Sequence, residues 1–201
     1  MRVVLASLFS VVALLCASGA LAGSENGNKF QCFDGTTDGG FNGTCALVGD
    51  SAVLDTTDGD ANPNNAYAGV YLQNTNLDGR RLSQVHNVGF SYVGTGAAGG
   101  SPRLSIPIDE DGDGTTEAYA FVDTIGCNEG SASAGVLDAI GDPTCLVAYG
   151  AVVYPNWEAF AVANPTYRIA EDALAFVIVD QPGEFTVADV RLGKGPAKPA
   201  S

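Results

Sequence analysis

From residue 66 onward, short runs rich in Val, Ile, Tyr, Phe and Leu are cut again and again by Gly, Pro, Asn or Asp. Punctuation at that spacing leaves room for strands of four to eight residues and for little regular helix. The runs are AYAGVYLQ (66–73), HNVGFSYVG (86–94), PRLSIPID (102–109), EAYAFVD (117–123), CLVAYG (145–150), TYRIA (166–170), ALAFVIVD (173–180) and FTVADVRLG (185–193). A chain of such runs predicts an all-β fold, an antiparallel β-sandwich.

Side-chain periodicity assigns faces. In PRLSIPID, Leu104, Ile106 and Ile108 alternate with Arg103, Ser105 and Pro107, one buried face against one wet face. Pro107 has no N–H for a ladder, which predicts an edge strand or a bulge. ALAFVIVD is apolar on both phases and predicts a central strand. It should form a hairpin with FTVADVRLG through QPGE, where Pro182 and Gly183 suit the central positions of a type II turn. One short helix is expected near 156–164, with Asn156 as N-cap, Trp157, Phe160 and Ala161 on one face, and a stop before Pro165.

The first 22 residues carry Arg2, an apolar stretch from Val3 to Leu15 and small residues through Ala20 and Ala22, the pattern of a cleaved secretory signal peptide. A single domain is expected over residues 23–193, and the Gly-, Pro- and Lys-rich residues 194–201 read as a disordered tail. No later stretch offers the roughly 18 apolar residues of a membrane span. Without Arg2 the remainder holds eight basic against 23 acidic residues, a net charge of −15. Such a surface repels nucleic acid and anionic lipid, so neither is an expected partner. Four cysteines remain, Cys32, Cys45, Cys127 and Cys145, an even number that suits two disulfides in an extracellular compartment. Local pairs, Cys32 with Cys45 and Cys127 with Cys145, are favoured because each brackets a Gly-, Asp- and Thr-rich loop. Zinc ligation lacks both C-x-x-C spacing and histidines.

The segment IDEDGDGTTEAYAF (108–121) concentrates the acidity. Asp109, Asp111 and Asp113 alternate, Gly112 and Gly114 permit tight turning, Thr115 can offer its backbone carbonyl, and Glu117 closes the far side. A hard cation such as Ca²⁺ takes six to eight oxygens, and alternate side chains of one loop supply them well. Four carboxylates so close together without a cation would repel one another. An EF-hand is excluded: the twelfth position from Asp109 is Ala120, and the flanks are strand-like. The pattern D-x-D-G-D-G-x-x-[DE] between two strands resembles the calcium hairpin of the FG-GAP repeats of integrin alpha-chain propellers. That resemblance implies Ca²⁺ held by Asp109, Asp111, Asp113, Thr115 and Glu117. Only one copy is present, so it does not imply a propeller. A solvated acidic turn is the alternative. A second loop, with Asp58, Asp60 and Asn62 alternating, lacks a closing carboxylate and reads first as solvated.

Catalytic signatures are sparse. The sole histidine, His86, shares its phase with Val88, Phe90 and Tyr92, which places it at the rim of the core. No G-x-S-x-G is present for a Ser-His-Asp hydrolase. Glycoside hydrolysis needs two carboxylates and stays open as a second class, a small secreted glycan-acting hydrolase. For binding, YPNWEAF gathers Tyr154 and Trp157 with Tyr167 nearby, the residues expected to offer rings to a carbohydrate or other surface ligand; a helix core position is the competing role for Trp157. FTVADVRLG and LSQVHNVGFSYVG resemble strands of secreted jelly-roll modules, many of which bind carbohydrate and carry structural calcium. The resemblance implies a jelly-roll-like, non-catalytic extracellular module.

Overall fold

The computed structural model describes residues 29–35, 42–57, 66–73, 77–95, 100–127, 133–193 and 198–199. Their strands, in chain order, are β1 (Lys29–Asp34), β2 (Thr44–Val48), β3 (Ser51–Asp55), β4 (Ala68–Gln73), β5 (Val88–Thr95), β6 (Arg103–Asp109), β7 (Ala118–Asp123), β8 (Ala134–Asp138), β9 (Val147–Tyr149), β10 (Val152–Tyr154), β11 (Arg168–Ile169), β12 (Phe176–Val179), β13 (Glu184–Leu192) and β14 (Lys198–Pro199). They form two packed sheets, the all-β sandwich expected. The larger has nine strands in the order β10-β9-β7-β6-β12-β4-β1-β14, with β11 also on β6; the smaller has five, β2-β3-β13-β5-β8. All pairings between these strands are antiparallel except β1 with β14.

Alternation fixes the core. Val70 and Leu72, Leu104, Ile106 and Ile108, and Val177 and Val179 come from the large sheet. Leu54, Phe90, Leu137, Phe185 and Val187 face them from the small one, all of them fully buried. Each such side chain contributes about 1.5–3 kcal/mol on leaving water. The helix α1 (Trp157–Ala163) forms where expected: Asn156 Oδ1 accepts the Ala159 N–H, and Trp157, Phe160 and Ala161 are its buried face. None of the described helices is long and apolar enough to cross a membrane.

Both local disulfides form. Cys32 lies on β1 of the large sheet and Cys45 on β2 of the small one, so the first bond ties the two layers together. The second, Cys127–Cys145, closes the excursion from β7 through β8 to β9. Two such bonds indicate an oxidising environment.

Three expectations are corrected. Strand β6 is interior, flanked by β7 on one side and by β12 and then β11 on the other. Pro107 falls at the seam between those last two strands, where its carbonyl accepts the Ala170 N–H and no ladder donor is required of it. Strands β12 and β13 are not a hairpin, although β12 is central as expected. The Pro182–Gly183 turn carries the chain from one sheet to the other, held by Thr56, whose N–H donates to Gly183 O and whose Oγ1 donates to Gln181 O at 2.6 Å. Finally, Lys198–Pro199, within the expected disordered tail, pairs with Lys29–Phe30.

Candidate metal centre

The end of β6 and the start of β7 define a hairpin over residues 109–118. Gly112 and Gly114 adopt φ of 88° and 89°, the left-handed region where a side chain is strained, and these two reversals fold the loop onto itself. Asp109, at the tip of β6, is 1 % exposed and organises the interior of the loop. Its Oδ1 accepts the Gly112 N–H at 2.6 Å and its Oδ2 the Gly114 N–H at 3.0 Å. Asp111 accepts from Asp113 N–H, and Asp113 from both the N–H and the hydroxyl of Thr115. The Thr115 hydroxyl, followed by its N–H, holds the Asp113 carboxyl below the usual carboxylate range.

These local bonds bring four carboxylates together. One oxygen each from Asp109, Asp111, Asp113 and Glu117 lies within 4.8 Å of the others, with Asp109 buried and the rest exposed. Thr115 reaches the same group through its hydroxyl, 3.4 Å from Glu117 Oε1. An all-oxygen set of this kind suits a hard cation. The loop is braced from elsewhere in the chain. Strand β11 sets Arg168 opposite Asp109, the Glu171 N–H donates to Gly114 O, and the Thr116 hydroxyl donates to Asp172 at 2.6 Å.

Glu110, out of phase with the aspartates, turns to a different neighbourhood. Its carboxylate accepts the Tyr149 hydroxyl, while its own N–H donates to Glu117 Oε2 at 2.6 Å. Burial, and then the bond to Glu110, push both Tyr149 and Tyr167 above the ordinary tyrosine range. Glu110, Glu171 and Asp172 are the residues around the loop that alternation did not reveal; for the last two the only signal is acidity on a segment more than fifty residues away.

The expected ring platform does not form at α1. Trp157 is 2 % exposed, its indole N–H donates to Leu82 O, and its ring packs edge-on against Phe160. Tyr154 and Tyr167 are half-buried, packed on Phe160 and on Tyr149. The helix periodicity that gathers these rings turns Trp157 into the core. A cavity of about 400 Å³ does open beside Trp157, between the 3-10 turn Leu82–Gln84, the β8–β9 connection and α1. Its wall includes Leu82, Val85, Ile140, His86 and Glu158, and Glu158 is the one carboxylate lining it among the described residues. His86 is exposed just ahead of β5, not at the core rim, because β5 begins only at Val88. The loop with Asp58, Asp60 and Asn62 lies outside the described residues. No family model, curated protein or solved structure matches the chain.

Proposed function

We propose that the chain is an exported, non-catalytic binding module whose sandwich is stabilised by one calcium ion in the 109–117 hairpin. The observation that carries this reading is the convergence of four carboxylates from a single loop within 4.8 Å. Asp109, Asp111, Asp113 and Glu117 would hold the ion, with Thr115 alongside. Oxygen donors alone, most of them charged, favour Ca²⁺ over softer metals. The FG-GAP-like spacing supports the same ion, and the two disulfides together with the leader-like first 22 residues support export. Calcium here supplies charge neutralisation and ties β6 to β7. Extracellular sites of this kind bind with dissociation constants on the order of 10⁻⁴ to 10⁻³ M.

Thermal unfolding tests the reading. Millimolar Ca²⁺ is expected to raise Tm, and a ten- to hundredfold excess over Kd corresponds to about 1–3 kcal/mol. Asp111→Ala should abolish the rise while leaving the chelated protein's Tm nearly unchanged. Equal melting of both proteins with and without calcium would sink the ion. A reducing-end assay on polysaccharides addresses the second class: release of sugar ends would favour the hydrolase and overturn the non-catalytic role.

A further inference from the structure

The outer face of the nine-stranded sheet is aromatic. Residues alternating away from the core place Phe33 of β1, Tyr71 of β4, Phe176 of β12, and Tyr119 and Phe121 of β7 on this side. In register, Tyr71 lies opposite Phe176, Phe176 opposite Ser105, and Ser105 opposite Phe121, so one row crosses four strands. The rings are continuous: Phe33 and Tyr71 centroids are 4.2 Å apart, Tyr71 and Phe176 5.9 Å, and Tyr119 and Phe176 5.5 Å. Phe33 is nearly covered, whereas Tyr71, Tyr119, Phe121 and Phe176 are half-exposed.

Polar groups are set among the rings. Gln73 Nε2 donates to Gln31 Oε1 on the β1 and β4 side. Toward β7, Arg103 makes a two-point contact with Asp180, at 2.9 and 2.6 Å, and its guanidinium lies 5.5 Å from the centre of the Phe121 ring. Ser105, fully buried in the middle of the row, has a hydroxyl with no partner among the described residues. A buried hydroxyl left unpaired is costly, and a ligand hydroxyl that parts the half-exposed Phe176 and Phe121 rings would supply its partner.

We propose that this face binds a neutral polysaccharide. A pyranose ring has an apolar C–H face and a hydroxyl rim, which matches half-exposed rings interleaved with amides and a guanidinium–carboxylate pair. The charge of Arg103 is met by Asp180, and the whole chain carries −14, so acidic glycans are excluded by repulsion. Edge-on packing of the rings, 75° between Tyr71 and Phe176, suits a single chain lying along the row and not a flat crystalline surface. The inference rests on the reading of the chain as a binding module and is independent of the ion.

Affinity electrophoresis through gels containing mixed-linkage β-glucan, xylan, galactomannan, starch or polygalacturonate tests it. Retardation is expected in at least one neutral gel and none in polygalacturonate. Tyr71→Ala and Tyr119→Ala should weaken that retardation about tenfold or more; Tyr154→Ala, on β10 where its ring packs on Phe160 of α1, should not. Circular dichroism and Tm identify any variant that fails to fold, and NMR shift mapping on the unaltered protein then locates the ligand without substitution. Shifts confined to the aromatic face support the proposal. No retardation in any neutral gel, shifts at α1 instead, or a dimer in sedimentation that Tyr119→Ala dissolves would each overturn it. Binding without a calcium-dependent Tm removes only the ion, and a calcium-dependent Tm without binding removes only the glycan.

Discussion

Asp109 and Asp111 stand two positions apart in one acidic motif, yet they do different work. Asp109 is buried and satisfies two glycine N–H groups, whereas Asp111 is exposed. In chelator, Asp109→Ala is expected to cost about 2 kcal/mol through the unpaired donors it leaves, and Asp111→Ala close to nothing, as urea melts would show. Alternation in the sequence revealed both as candidate ligands. It could not reveal their difference, because the burial of Asp109 depends on β11 arriving beside it. The same limit explains Trp157: helical spacing located the ring, but what lies against it is decided by Leu82. Tyrosines give a pH test. Tyr149 and Tyr167 keep their protons in the fold at a pH where an unfolded chain, with tyrosines near pKa 10, has lost them. The native state then binds more protons than the unfolded one, so stability falls as pH rises above about 10. Urea melts between pH 8 and 11 should show that decline, and Tyr149→Phe should shallow it.

Eight strands and the helix were legible because each carries its own pattern and stops. The first three strands, and β8, β10 and β14, were not. β1 holds Asp34 and Gln31 among its apolar residues, and β2 is largely exposed along its length, so neither shows a clean alternation. Partnership was harder than existence. QPGE has the chemistry of a tight hairpin, but β13 finds its ladder on β3 and β5, and Thr56 supplies the hydrogen bonds that steer the turn across. Cysteine pairing was legible from loop composition, and the fold adds its consequence. Cys32–Cys45 clamps one sheet to the other across a separation of 13 residues. Replacing both with alanine is expected to cost about 3 kcal/mol by the chain-entropy relation, read as a lower urea midpoint with little change in slope. The Cys127–Cys145 pair, spanning 18 residues, should cost a similar amount.

The chain crosses between the layers repeatedly: β1 to β2, β3 to β4, β4 to β5, β5 to β6, β7 to β8, β8 to β9, β12 to β13 and β13 to β14 each change sheet. Most pairings are therefore distant in sequence, which predicts folding slower than that of a helical protein of this size, on the millisecond-to-second scale in stopped-flow refolding with the disulfides intact. It also explains why the aromatic face escaped the sequence. Phe33, Tyr71, Tyr119 and Phe176 lie on four separate strands, β1, β4, β7 and β12, and only the strand order makes them neighbours. That order has one more result. The parallel contact of β1 with β14 sets Lys29 beside Lys198, so the first and last described strands share one edge. A short linker joining them, with the backbone reopened at the exposed Gly49–Asp50 turn, would leave every strand with its present neighbours. Such a circular permutant should fold, keep both disulfides and present the same aromatic row, which thermal melts and free-thiol titration would check.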